Sequence, residues 1–122
     1  MRRLATVWGP LIGWCAVIYL VSSRPNLDLA HLAPNYPSLH WYDYPLRKIG
    51  HLVEYAILFL LARRAMPQRR AWIFCLLYGV SDECHQMFVL GRLGMASDVV
   101  VDGLGAAIPL FWPHVKKLFR RR

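Results

Sequence analysis

The chain has 122 residues, enough for one compact unit and too few for two ordinary domains. It is 57% hydrophobic and 18% charged with a net charge of +8, and its charges are bunched rather than dispersed. The basic residues flank apolar segments instead of forming a face on polar helix, which excludes nucleic acid as the expected partner. Three cysteines without a C-x-x-C pair give no support for a zinc ribbon or a redox dithiol.

Residues 4–23 form an uncharged run. At about 1.5 Å per helical residue it matches the roughly 30 Å hydrocarbon core of a bilayer. Arg2-Arg3 before it and Ser22-Ser23 at its end also suit a secretory signal. The run is long for that, however, and contains Gly9-Pro10 and Trp14, so a retained first helix is expected. Residues 24–45 carry Pro25, Pro34, Pro37 and Pro45 among Tyr36, Trp41, Tyr42 and Tyr44, the composition of an irregular loop lying at a headgroup layer.

A second apolar segment, residues 46–62, holds Lys48, His51 and Glu54 near its start, and Met66-Pro67-Gln68 then marks a short turn. The third, residues 71–90, is interrupted by Ser81-Asp82-Glu83-Cys84-His85-Gln86. Each acid there costs about 2.5–3.5 kcal/mol at the centre of a membrane helix, so the run belongs near an interface, in a pair or in a polar cavity. The fourth, residues 96–115, carries Asp98 and Asp102 near its start, with Ser97 the expected N-cap. Hydropathy by itself passes only the first segment. The other three need their polar groups protected by one another.

Charge orients these segments. Arg2 and Arg3 precede the first, Arg63, Arg64, Arg69 and Arg70 join the second to the third, and Lys116, Lys117, Arg120, Arg121 and Arg122 follow the fourth. Eleven of the fifteen basic residues therefore fall on one side of a four-span bundle, leaving Arg24, Arg47, Lys48 and Arg92 on the other. The expected fold is all-α and polytopic, a small bundle of four transmembrane helices in a single domain over residues 1–122, both termini cytoplasmic.

In that arrangement the ionisable residues gather at the outward end. Lys48, His51 and Tyr55 share one helical face, and Glu54 lies three positions on from His51. Asp82 and Gln86 are four apart, Glu83 and Gln86 three apart, and Asp98 and Asp102 share a face leading to Gly105. Gly103 and Gly105 permit close helix approach. His51-x-x-Glu54 and Asp82-x-x-His85 are i,i+3 pairs, but neither reproduces a strong ligand signature. No metal or other cofactor is assigned, and a divalent cation is a minor alternative. G-x-S-x-G, Walker A and H-E-x-x-H patterns are absent from the sequence.

Lys48-x-x-His51 with Tyr55 and Leu58, then Asp82-Glu83-x-x-Gln86-x-Phe88-x-x-Gly91-Arg92, then Asp98 and Gly105, resemble the VanZ-like membrane protein family. Ser22-Ser23-x-Pro25 fits as well, and the resemblance runs from about residue 18 to 110. It implies a small multi-pass protein of the bacterial cytoplasmic (inner) membrane, in a family named for a member linked to teicoplanin resistance. Two positions depart from the pattern: Arg47 stands where Asp is frequent, and Asp102 where Asn is frequent.

The resulting expectation is an outward-facing polar pocket for an amphipathic cell-envelope lipid or lipid-linked substrate. His51, Glu54 and Glu83 supply acid–base capacity. Lys48 and Arg92 hold an anionic group, Tyr55 and Gln86 orient ligand or carboxylates, and Asp98 lines the site. Asp82, His85 and Asp102 support it. The pattern is compatible with binding alone or with catalysis. Two rival classes are a small transporter or flippase and a non-catalytic membrane module whose ion pairs fix helix packing.

Overall fold

The computed structural model describes residues 2–24, 35–36, 41–90 and 94–119, with side chains described between residues 5 and 113 of that set. Four α-helices follow one another: α1 (Arg2–Ser22), α2 (Asp43–Ala65), α3 (Gln68–Gln86) and α4 (Ala96–Phe119). No strand occurs among the described residues. Most of the expected 24–45 loop, together with Gly91 and Arg92, lies outside them.

Local chemistry sets the boundaries. Pro45 falls in the first turn of α2, where the missing N–H has no intrahelical acceptor to lose, so the helix starts at Asp43 rather than at residue 46. Pro67 disfavours helical backbone at the residue before it. Met66 is accordingly extended (φ −146°, ψ 161°), and its N–H closes α2 on the Ala62 carbonyl at 2.9 Å. Two residues thus separate α2 from α3.

α3 stops at Gln86, short of the expected residue 90. Tight turns follow, with Phe88 N–H donating to the His85 carbonyl and Val89 N–H to that of Gln86. α4 begins at Ala96, which puts Ser97 inside the first turn instead of at the cap. Pro109 and Pro113 lie within α4, each removing one backbone donor.

α2 packs most extensively on α4, then α3 on α4 and α1 on α2. Tyr55, Leu58, Phe59 and Ala62 are buried at i, i+3, i+4 and i+7 of α2. They meet Leu11 and Ile18 of α1, Ala71 and Cys75 of α3 and Ala106 of α4. Gly105 allows the closest crossing: a Cβ there would stand 2.6 Å from the Leu52 carbonyl oxygen. The buried stripe of α3 runs Ala71, Cys75, Gly79 and then continues as Asp82, Glu83 and Gln86. One helical face therefore changes from small and apolar to acidic along its length.

Candidate functional site

The alternation of helix direction brings the end of α1, the first half of α2, the end of α3 and the start of α4 to one end of the bundle. Asp82, Glu83, Gln86 and Asp102 are all buried there, and Asp102 is fully so. Such groups are costly unless partnered, and their partners come from other helices.

His51 and Asp102 join α2 to α4, with Nδ1 2.7 Å from Oδ1. Asp102 is turned toward α3: a Cβ on Gly79 would meet its Oδ2 at 3.1 Å and Cε1 of Tyr55 at 3.5 Å. Glycine at position 79 thus makes room for a carboxylate from the neighbouring helix. One turn nearer the end of the bundle, Lys48 pairs with Asp98 and sits 5.0 Å from the centroid of the Tyr44 ring.

Asp82 has both oxygens satisfied. Ser22 Oγ donates to Oδ1 at 2.5 Å and Gln86 Nε2 to Oδ2 at 3.0 Å, so α1 and α3 are tied together through a buried acid. Beside it, His85 Nε2 lies 2.9 Å from Ser23 Oγ, and its ring centroid is 4.5 Å from that of Tyr19. Glu83 is held differently: the Met95 backbone N–H donates to Oε2 at 2.8 Å. Gly94 permits this closure, since a Cβ there would stand 2.7 Å from the Glu83 carbonyl oxygen.

Three buried polar atoms have no hydrogen-bond partner among the described residues: Tyr55 Oη, Glu83 Oε1 and Asp102 Oδ2. His51, Glu83 and Asp102 each offer a ligand atom within 4.8 Å of the other two. Glu54, half-buried one turn on from His51, lies close enough for its carboxylate to act electrostatically on the imidazole. Its backbone carbonyl accepts a hydrogen bond from Trp14 Nε1 at 3.0 Å.

The structure thus brings His51, Glu83 and Asp102 together, with Tyr55 beneath them against Asp102. It places Asp82 and Gln86 in a network with Ser22, and Lys48 with Asp98 in a separate pair. His85 stands outside these groups on Ser23 and Tyr19, and Arg92 lies outside the described residues. Sequence reasoning gave no role to Gly79, Gly94 or the Met95 N–H. Ser22 and Ser23 entered it as the end of the first helix and as part of the family resemblance, with no place in the site. Two serines closing an apolar run, each one turn from aromatic Tyr19, are the signal that was present.

These features define a class: a small helical bundle with its core apolar along most of its length and polar at one end. The VanZ/LLP1 family profile matches residues 8–115, nearly the entire chain. The chain belongs to the VanZ/LLP1 family. No curated protein and no solved structure matches it.

Proposed function

We propose that this VanZ/LLP1 protein crosses the bacterial cytoplasmic membrane four times as a single domain, both termini inside. Its polar end faces outward and binds an amphipathic cell-envelope lipid or lipid-linked substrate. The observation that carries the reading is the inversion of surface and interior. Ile12, Leu20, Leu60, Leu77, Val100, Leu104, Ile108 and Phe111 are exposed along the helices, whereas Asp82, Glu83, Gln86 and Asp102 are buried. An apolar exterior of this extent suits lipid, and acids turned inward suit a site.

One described helix, over Ala5–Ser22, is long and apolar enough to span a membrane. The others acquire that capacity by enclosing their polar groups. Arg69 and Arg70 at the start of α3 oppose the helix dipole, so their position serves topology rather than helix stability. Below Tyr55 the described core is apolar, through Leu58, Phe59, Ala62, Cys75 and Ala71, which favours binding from one side over passage through the bundle.

In this reading Lys48 and Asp98 mark the rim and Arg92 meets an anionic headgroup. Tyr55 and Gln86 orient groups within the site. His51, Glu83 and Glu54 provide acid–base capacity, should the bound lipid be processed. The fully paired Ser22–Asp82–Gln86 network favours a second reading for that part of the cluster, a packing device without ligand.

Native mass spectrometry of the full-length protein extracted from its membrane tests the proposal. A specific envelope lipid retained at about one per chain, and released by Glu83→Gln or His51→Ala in folded protein, is expected. Retention of bulk phospholipid alone, indifferent to both substitutions, would sink it.

A further inference from the structure

We propose that His51, Glu83 and Asp102 form a binding site for one divalent first-row transition-metal ion. The site shares residues with the substrate reading but needs no substrate. Each acid has one oxygen fixed and one to give. Glu83 Oε2 is held by the Met95 N–H and Asp102 Oδ1 by His51, while Glu83 Oε1 and Asp102 Oδ2 accept nothing from the described residues. Glu83 is 6% exposed and Asp102 0%, so water does not readily compensate these oxygens.

Asp82 shows that the absence of partners is particular to this site. It is just as buried and lies at the same end, yet each of its oxygens receives a hydrogen bond. Packing alone therefore satisfies one acid of this cluster completely. It leaves over one oxygen on each of two others, and a ligand atom of His51 lies within 4.8 Å of both acids.

The donor set decides the kind of ion. One imidazole nitrogen with two carboxylates suits zinc, manganese or ferrous iron, whereas magnesium and calcium sites are built from oxygen. Ligand atoms on a shared ion at bond lengths near 2.1 Å lie about 3.4 Å apart in tetrahedral geometry. The present separations, up to 4.8 Å, call for side-chain rotation, to which the two-methylene stem of Glu83 is suited. A divalent ion also matches the charge of the two carboxylates. Three protein ligands leave at least one position for a ligand from outside, as in catalytic rather than structural metal sites.

The test uses untagged full-length protein in phosphatidylglycerol nanodiscs, stripped with chelator and then equilibrated with Zn²⁺, Mn²⁺ or Co²⁺. Elemental analysis should find about one ion per chain. Bound Co²⁺ should show d–d bands of nitrogen and oxygen ligation without thiolate charge transfer. Glu83→Gln and Asp102→Asn should each weaken binding at least tenfold. Glu83→Asp should restore part of it, and Asp82→Asn and Cys84→Ser should leave stoichiometry unchanged. Wild-type protein that takes up no stoichiometric ion overturns the proposal even if a variant fails to fold. So does an ion that persists in both Glu83→Gln and Asp102→Asn. Because the readout is bound metal and not retained lipid, failure here leaves lipid retention to be judged separately.

Discussion

His51 of α2 and Asp102 of α4 stand 2.7 Å apart, Nδ1 to Oδ1, across the most extensive helix contact in the molecule. Asp102 is completely buried, so the pair is a cross-link with a desolvated member. Replacing Asp102 by Ala in metal-free protein is expected to cost roughly 3–5 kcal/mol, because His51 loses its partner in a low-dielectric setting. A double-mutant cycle with His51→Ala, read as equilibrium unfolding in detergent, should give a coupling energy above about 1 kcal/mol. Additive losses would show that the two act independently.

Ser22 and Ser23 are neighbours with unequal duties. Ser22 is buried on Asp82, whereas the Ser23–His85 contact is only partly buried. Ser22→Ala should lower stability by about 1–3 kcal/mol through an unsatisfied acid, and Ser23→Ala by less than about 1 kcal/mol. Equal losses in thermal unfolding would contradict this assignment.

Glycines 50 and 105 lie on opposite terms with their surroundings. A Cβ on Gly50 meets nothing within 4 Å, while one on Gly105 would collide with Leu52 main-chain atoms at 2.6 and 2.9 Å. Gly105→Ala should push α2 and α4 apart and cost about 1–3 kcal/mol, whereas Gly50→Ala should be neutral or stabilising by up to about 1 kcal/mol. Parallel denaturation curves distinguish the two.

Cys84 provides a native reporter of orientation. It is exposed near the polar end, whereas Cys15 is half-buried and Cys75 fully buried. In intact cells or spheroplasts a membrane-impermeant maleimide should react at position 84 and not in the Cys84→Ser variant. Labelling that requires disruption of the membrane would place the polar end inside and reverse the topology.

Charge bunching and helical spacing made the four helices and their polar end legible, since Lys48, His51, Asp82, Glu83, Asp98 and Asp102 are separated by turns of helix. Pairing was not legible. Helical spacing leaves open which acid meets His51; Asp102 is the one in contact, where α2 and α4 cross closely at Gly105 and Leu52. No sequence pattern encodes the register of that crossing. The Asp82–Ser22 bond spans 60 positions and depends on how α1 leans on α3. Asp82 reads from the sequence as a supporting residue, and the structure buries it with both oxygens bonded.

The contact between Met95 and Glu83 bears on how the molecule is made. A nascent chain halted before Met95 would carry a Glu83 without its backbone donor, a His51 without Asp102 and a Lys48 without Asp98. Its first three helices already expose their apolar flanks, so what the fragment lacks is not grease but counterparts for its polar groups. The last helix to be synthesised is the one that makes the earlier ones tolerable. Shortened chains of this protein should therefore be prey to proteolysis in a way that the finished chain is not.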